Sequence, residues 1–180
     1  MKKTFTVKNL IMIAITAAVI TVCSWITVPF FTIPFTMQTF AVFFALKFLG
    51  GRDGLISILV YTLLGAVGVP VFSGFGAGFG VLAGPTGGYI AGFTLCAALY
   101  LACGRFTKKS ALREDAVLLL GLLLCYGFGT VWFVKVMNDG GAATTFWGAL
   151  SACVLPFVAP DIVKLVLAHI LAARLKKVRF

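Results

Sequence analysis

Long apolar runs, interrupted by short charged or glycine-rich stretches, determine what this chain can fold into. Only 11% of the 180 residues are charged, against about 25% in a typical soluble domain. A helix needs about 20 apolar residues to cross a bilayer, so the short second and third runs are expected to be tilted or packed inside a bundle. The sequence predicts an all-α integral membrane protein, a single six-helix bundle over residues 1–180, and excludes a water-soluble fold. The predicted spans are 9–28, 38–50, 54–69, 87–104, 116–136 and 146–173.

Positive charge collects between the predicted spans, and the net charge is +10. In a soluble protein this balance would suggest nucleic-acid binding, but basic loops are typical of the cytoplasmic side of a membrane protein. With both termini in the cytoplasm, every Lys and Arg except Lys135 and Lys164 falls on that side. We therefore predict two cytoplasmic termini and no nucleic-acid partner. The basic residues on that side are Lys2, Lys3, Lys8, Lys47, Arg52, Arg105, Lys108, Lys109, Arg113, Arg174, Lys176, Lys177 and Arg179.

The sequence gives little support for catalysis, metal binding or ATP hydrolysis. His169 is the single histidine, and neither an acidic cluster nor an HExxH motif accompanies it. The stretch GPTGGY at 84–89 lacks the lysine that a phosphate-binding P-loop requires. The five cysteines have no CxxC spacing and lie in or beside apolar runs, so we interpret them as small buried hydrophobic residues. We expect no enzyme, no cofactor and no metal, and any ATP-driven work must be done by a partner.

Asp161 and Lys164 lie three residues apart in the last apolar run and share one face of the predicted helix. A charge at the bilayer centre costs at least about 2.5–3.5 kcal/mol, so such residues usually face the protein interior or a cavity. The pair is either a structural ion pair or part of a ligand site. Pro156 and Pro160 come just before it and are expected to free backbone groups there. His169 follows, and its role as a packing residue or a proton relay is open.

Residues 65–93 hold ten of the chain's 20 glycines, too many for one regular helix. Irregular backbone at membrane depth must be buried in protein or line a cavity. Two interpretations are open: a tight helix contact through the GxxxG pairs that begin at Gly74 and Gly76, or a folded loop beside a ligand. The segment 29–40 is likewise either a plain connector or a lid over a site, and its hydrogen-bonding groups are Thr36, Gln38 and Thr39.

Ala14 and Ala18 lie four residues apart, on one face of the first predicted helix. Small residues at this spacing let another helix approach closely. Spacing alone does not distinguish ordinary internal packing from docking of a partner helix.

Four motifs in order give the chain a family resemblance from end to end: IPFTMQTF, GGRDGLISILVYTLLGAVGVPVF, GPTGGYIAGF and APDIVKLVLA. With them the chain resembles the BioY family, the biotin-specific S components of energy-coupling factor (ECF) transporters. The resemblance implies six helices in the cell membrane, cytoplasmic termini, and an outward-facing biotin site made by helices 4–6 and the loops above them. It also implies partners, namely a transmembrane coupling subunit and two ATPase subunits, with Ala14 and Ala18 as the docking motif.

The resemblance also implies a set of biotin-binding residues. Asp161 would accept a hydrogen bond from a ureido N–H of biotin, and Lys164 would donate to the ureido carbonyl or stabilise Asp161. Other residues would pack beside the ring system or close over it: Tyr89, Thr86, Gly84, Gly87, Gly88, Thr36, Gln38 and Tyr61.

Three other functions compete with a binding subunit. A self-sufficient, ion-coupled biotin transporter could use Asp161 and Lys164 as a proton-sensitive pair, but the sequence gives no sign of an inverted repeat. An intramembrane enzyme lacks a catalytic constellation. The same fold could also bind another vitamin.

Overall fold

The computed structural model describes residues 6–28, 33–104 and 110–178, and most of these residues are helical. The predicted basic residues Lys2, Lys3, Arg105, Lys108, Lys109 and Arg179 lie outside the described residues. Two short strands, β1 (Thr27–Val28) and β2 (Phe35–Thr36), pair in antiparallel register. The helices are α1 (Val7–Trp25), α2 (Gln38–Leu49), α3 (Gly51–Ala66), α4 (Phe79–Ala83), α5 (Gly87–Ala102), α6 (Ala111–Asp139), α7 (Phe146–Cys153) and α8 (Leu155–Val178), with a 3₁₀ turn at Ser73–Phe75.

Five of the six predicted spans correspond to one helix each, and the sixth prediction is corrected. The predicted span 146–173 is divided into α7 and α8 at Val154, which has φ −124° and ψ −53°. Pro156 explains the division, because it has no N–H to bond to the carbonyl four residues back and is tolerated only in the first turn of a helix. The short α4 is an additional helix within the glycine-rich segment.

Three of the described helices, α1, α6 and α8, are long and apolar enough to cross a membrane. The shorter α2 and α5 are also apolar. Ala41 through Lys47 of α2 are all buried, so this 12-residue helix lies inside the bundle. The expectation that a short apolar run is packed in the interior is therefore confirmed for α2.

The backbones of α5 and α6 approach each other closely because small residues repeat every four positions on their facing sides. An added Cβ at Gly92 would lie 2.6 Å from the Sγ of Cys125, and one at Gly121 would lie 2.5 Å from the Sγ of Cys96. Neither helix could carry larger residues here without moving. We call this contact the α5–α6 seam, formed by Gly88, Gly92 and Cys96 of α5 with Gly121, Cys125 and Gly129 of α6.

The glycine-rich segment is a folded loop, and the interpretation as GxxxG helix contacts is wrong. Gly74 and Gly78 have φ values of +65° and +86°, which no continuous helix contains. The loop folds back on α3, where the ring of Phe72 occupies the space beside Gly65 and the N–H of Gly78 donates to the carbonyl of Gly65 at 2.7 Å. This path places residues 72–86 above the interior of the bundle.

Candidate functional site

A cavity opens where the hairpin and the glycine-rich loop meet five helices: α2, α5, α6, α7 and α8. It contains about 700 Å³ of empty space with its open mouth included. Most of its wall is apolar, and a few polar side chains converge on one side. The described lining residues are Ile33, Pro34, Thr36, Gln38, Thr39, Phe72, Ser73, Val81, Thr86, Tyr89, Ile90, Phe93, Cys125, Tyr126, Cys153, Phe157, Asp161 and Lys164.

The carboxylate of Asp161 is the centre of the polar side. Its Oδ1 accepts from the Nζ of Lys164 at 2.7 Å and from the Oγ1 of Thr39 at 2.8 Å. Its Oδ2 accepts from the Oη of Tyr126 at 2.6 Å. Asp161 is only 2% exposed, so these donors take the place of water around its carboxylate. Three helices, α2, α6 and α8, thus meet at one side chain.

Lys164 connects the same carboxylate to the hairpin. Its Nζ donates to the backbone carbonyl of Thr36 at 2.7 Å and to the Oγ1 of Thr39 at 3.1 Å, besides its bond to Asp161. The ammonium also lies 4.0 Å from the centre of the Phe35 ring, a cation–π distance. All three ammonium protons are therefore donated to protein acceptors. The bond to Thr36 holds the hairpin of β1 and β2 over the cavity.

Helix α8 presents these charges inward because its two sides differ in polarity. Asp161, Lys164 and Leu165 are buried, whereas Ile162 and Val163 are exposed. Pro160 lies within α8 just before the pair and has no N–H to donate to the preceding turn. The apolar outer side of α8 suits contact with lipid while its inner side carries the ion pair.

Aromatic residues form much of the remaining wall, and two of them, Tyr89 and Phe157, are oriented by a hydrogen bond and a ring contact respectively. The Oη of Tyr89 lies 3.3 Å from the Oγ1 of the buried Thr130. The rings of Phe35 and Phe157 stack with centres 6.0 Å apart. A flat ring system with polar groups on one edge would therefore find apolar surfaces around it and the ion pair at its edge.

The structure brings six of the predicted site residues to the cavity. Asp161 and Lys164 form its charged side, and the described lining also includes the remaining four: Thr36, Gln38, Thr86 and Tyr89. Their contact with a ligand stays a prediction.

The other four predicted site residues have packing roles outside the described lining. Tyr61 lies one layer away and accepts at its Oη from the Nε2 of Gln38 at 2.8 Å. The carbonyl of Gly84 accepts from the Nε1 of Trp132 at 3.0 Å. An added Cβ would meet the backbone of Leu82 at Gly87 and the side chain of Trp132 at Gly88.

The sequence analysis missed two functional side chains. Tyr126 was not predicted, and Thr39 was noted only as a polar group of its loop. The available signal was a hydroxyl in an otherwise apolar stretch, because a buried hydroxyl needs a hydrogen-bond partner. Phe35, which covers Lys164, had no comparable signal.

Ala14 and Ala18 lie outside the described cavity lining, on an exposed side of α1. Together with Val60 and Leu64 of α3 they line an apolar groove on the surface of the bundle. Because both side chains are single methyl groups, a helix could approach the backbone of α1 there.

The chemistry of the cavity is that of binding. It offers hydrogen-bond acceptors, donors and apolar surface, and among the described residues no group of three potential metal ligands occurs. The cysteines of the cavity wall, Cys125 and Cys153, are buried as the sequence predicted.

Comparisons with known proteins agree on one family. The sequence profile of the BioY family matches residues 1–179. The "Biotin transporter BioY" of Thermotoga maritima is 38% identical over 170 residues, covering 94% of this chain and 96% of that protein. The "Biotin transporter BioY2" of Lactococcus lactis subsp. cremoris is 34% identical, covering 90% of this chain and 86% of the relative.

A solved structure supports the same conclusion at the level of the fold. The crystal structure of the S-component for biotin from an ECF-type ABC transporter superposes with a TM-score of 0.81 at 25% identity, covering 97% of this chain and 95% of that one. Three spanning-length helices and these relatives make the protein a multi-pass membrane protein. The BioY profile matches nearly the whole chain, and this is the family that the four motifs indicated. The chain therefore belongs to the BioY family.

Proposed function

We propose that this chain is the biotin-binding S component of an ATP-driven ECF importer in the cell membrane. One observation carries the proposal: a buried ion pair, joined to hydroxyls of two other helices, lines an otherwise apolar cavity. The family membership supports biotin as the ligand, since relatives are named biotin transporters.

The polar side of the cavity matches the ureido group of biotin. This group has two N–H donors and one carbonyl acceptor, and its ring system and valerate tail are largely apolar. A carboxylate can accept about four hydrogen bonds, and Asp161 accepts three from the protein. Its remaining acceptor position on Oδ2 is available to a ureido N–H.

Lys164 supplies the complementary donor for the ureido carbonyl. Its three protons are already donated to Asp161, Thr39 and Thr36, so the ligand carbonyl must replace one acceptor. The backbone carbonyl of Thr36 is the exchangeable one, because it belongs to the hairpin at the cavity mouth. Binding of biotin is then coupled to movement of the hairpin.

Transport is proposed to require partner subunits. The chain has no ATPase motif, so ATP is hydrolysed by two ATPase subunits that act through a transmembrane coupling subunit. The exposed Ala14 and Ala18 on α1 support a docking surface for that coupling subunit. On docking, the S component would tip in the membrane, with cytoplasmic termini and biotin as cargo. No cofactor of its own is part of the proposal.

Calorimetry with biotin on the purified protein in detergent tests this function. Asp161→Asn and Lys164→Ala should each weaken binding by about 2–5 kcal/mol, because each leaves a buried partner uncompensated. Asp139→Asn and Lys135→Ala, at exposed positions of α6, are the matched controls and should bind biotin as the parent does. Desthiobiotin, which keeps the ureido group, should bind better than an analogue that lacks it.

Two results would contradict the proposal in different ways. Parent-like affinity in both Asp161→Asn and Lys164→Ala would make the ion pair structural and remove the assigned site. No binding of biotin by the parent protein would overturn the function itself.

A further inference from the structure

A second, partly buried group of charges lies at the opposite end of the helices that build the proposed biotin site. The side chains of its two carboxylates are 24% exposed and that of its histidine is 35% exposed. Lys47 of α2 is only 3% exposed. Its Nζ lies 2.5 Å from the Oδ1 of Asp115 and 3.7 Å from the Oε2 of Glu114, both on α6. It also lies 3.1 Å from the Nδ1 of His169 on α8. The sequence analysis placed Lys47 among the cytoplasmic loop charges, whereas it lies inside the bundle.

The remaining contact closes this group into a network. The Nδ1 of His169 also lies 2.8 Å from the Oδ2 of Asp115. This nitrogen either accepts from Lys47 or carries a proton and donates to Asp115, so it joins α8 to α2 or to α6. We call Lys47, Glu114, Asp115 and His169 the distal network. Its members come from α2, α6 and α8, the same three helices that meet at Asp161.

The two networks are joined by one buried apolar core, in which α2 packs directly on α8. Lys47 follows Thr39 by eight residues, about 12 Å along α2. Tyr126 follows Asp115 by eleven residues, which is three helical turns and returns to the same face of α6. Between the two levels, Leu46, Leu118 and Leu165 of the three helices are buried in one apolar core. A change in helix spacing at one end therefore alters the helix spacing at the other, because close-packed interiors transmit strain.

We propose that Lys47 is a positioning residue for biotin binding, a role that rests on the proposed function. Without Lys47, the partly exposed carboxylates of Glu114 and Asp115 would lose the buried cation that joins α6 to α2, and the contact between these two helices at this end would weaken. The hydroxyls of Thr39 and Tyr126 would then no longer meet at Asp161. The affinity for biotin is thus set partly by a charge that lies outside the cavity.

The test compares Lys47→Met with Lys47→Arg in calorimetry with biotin on the full chain. Lys47→Met keeps most of the side-chain volume without the charge and should weaken the Kd by about tenfold, while Lys47→Arg restores most of the affinity. Lys135→Met removes an exposed lysine of α6 and should leave the Kd unchanged. The melting temperature of each variant is measured without biotin.

A purely structural role predicts a different pattern. In that case Lys47→Met would lower the melting temperature but leave the Kd of the folded protein at the parent value, and this result would overturn the inference alone. Failure of the parent to bind biotin would overturn the proposed function together with it.

A double variant checks that the ion pair acts as one unit. Lys47→Met and Asp115→Asn each remove one partner of the same ion pair. Because either substitution already breaks the pair, the double variant should bind biotin no more weakly than Lys47→Met alone. Additive losses would show that Lys47 acts apart from Asp115. If Lys47→Met does not fold, Asp115→Asn and Glu114→Gln are judged by the same criterion, and parent-like affinity in both contradicts the proposal.

Discussion

Asp161 shows how a single carboxylate can be kept charged inside an apolar bundle. Its two oxygens receive donors from α2, α6 and α8, and one of these donors is itself a cation. Breaking such a pair by removing one partner is strongly destabilising, while the intact pair contributes little net stability. Its retention in a membrane protein therefore indicates a ligand better than it indicates a stable fold.

Tyr126 is the most informative single residue to change at this site. Tyr126→Phe removes the hydroxyl that donates to Oδ2 at 2.6 Å and keeps the ring. A hydrogen bond to a charged group is worth about 1.5–3 kcal/mol, so biotin should bind roughly ten- to hundredfold more weakly. Thr62→Val is the control: it removes a hydroxyl of α3 that donates to the carbonyl of Ile58 at 2.9 Å, outside the described cavity lining, and should keep the parent Kd. Equal Kd values for the two variants in calorimetry would show that Tyr126 does not orient the carboxylate.

Individual residues differ in how far sequence can assign them. Asp161 and Lys164 were predicted to face a cavity because a charge in an apolar run is costly, and the structure confirms this placement. Tyr126 was missed, since a tyrosine in a membrane span is equally suited to packing. Gly87 and Gly88 were assigned to the ligand, and that role stays a prediction. In the structure both are closely packed, and the two uses leave the same sequence pattern.

At the level of elements, the apolar runs predicted where the helices lie, but they did not predict where a helix is broken. Length and hydropathy defined α1, α2, α3, α5 and α6. The division at Val154 was not predicted, although Pro156 was its visible cause, because a proline in the first turn of a helix and one inside it look alike in sequence. The α5–α6 seam was also missed, since its glycines and cysteines are spread over two distant segments.

The seam makes a prediction about glycines on one helix. Gly121→Ala should lower the melting temperature in detergent, because its Cβ would overlap Cys96, and such overpacking costs about 1–3 kcal/mol. Gly127→Ala is the matched control on α6, since nothing lies within 4 Å of its added Cβ. Alanine favours a helix over glycine by about 1 kcal/mol, so the control should melt at or above the parent temperature. A parent-like melting temperature for Gly121→Ala would show that the seam can open without cost.

The whole molecule places different chemistry at its two ends. One end holds the cavity with the hairpin and glycine-rich loop above it. The other holds the distal network beside a second cavity, which Arg52 and Lys176 also line. Basic residues at that end fit the predicted cytoplasmic side, and the proposed biotin site would then face outward. The motifs predicted this division of roles, but the ion network that joins the same three helices at both ends required three-dimensional positions.

The proposed dependence on a coupling module can be separated from binding in proteoliposomes. The chain alone should bind labelled biotin stoichiometrically without accumulating it in the liposomes. Accumulation should require the coupling subunit, both ATPase subunits, and ATP on the side of the membrane where the ATPase subunits lie. Ala14→Trp with Ala18→Trp should abolish ATP-driven uptake and leave the Kd unchanged, because the bulky rings fill the groove on α1 far from the cavity. Ala91→Trp, at an exposed alanine of α5, is the matched control and should support uptake.

The same assay decides between the importer subunit and the ion-coupled alternative. The buried pair Asp161 and Lys164 could in principle respond to a proton gradient, and uptake by the chain alone that an uncoupler abolishes would establish that mechanism. Uptake that needs ATP and the module, and that persists with the uncoupler, would assign the pair to ligand binding. In that case ATP hydrolysis drives transport through the coupling subunit docked on α1. The ion pair then serves to recognise the ligand, which forms hydrogen bonds with both charged groups.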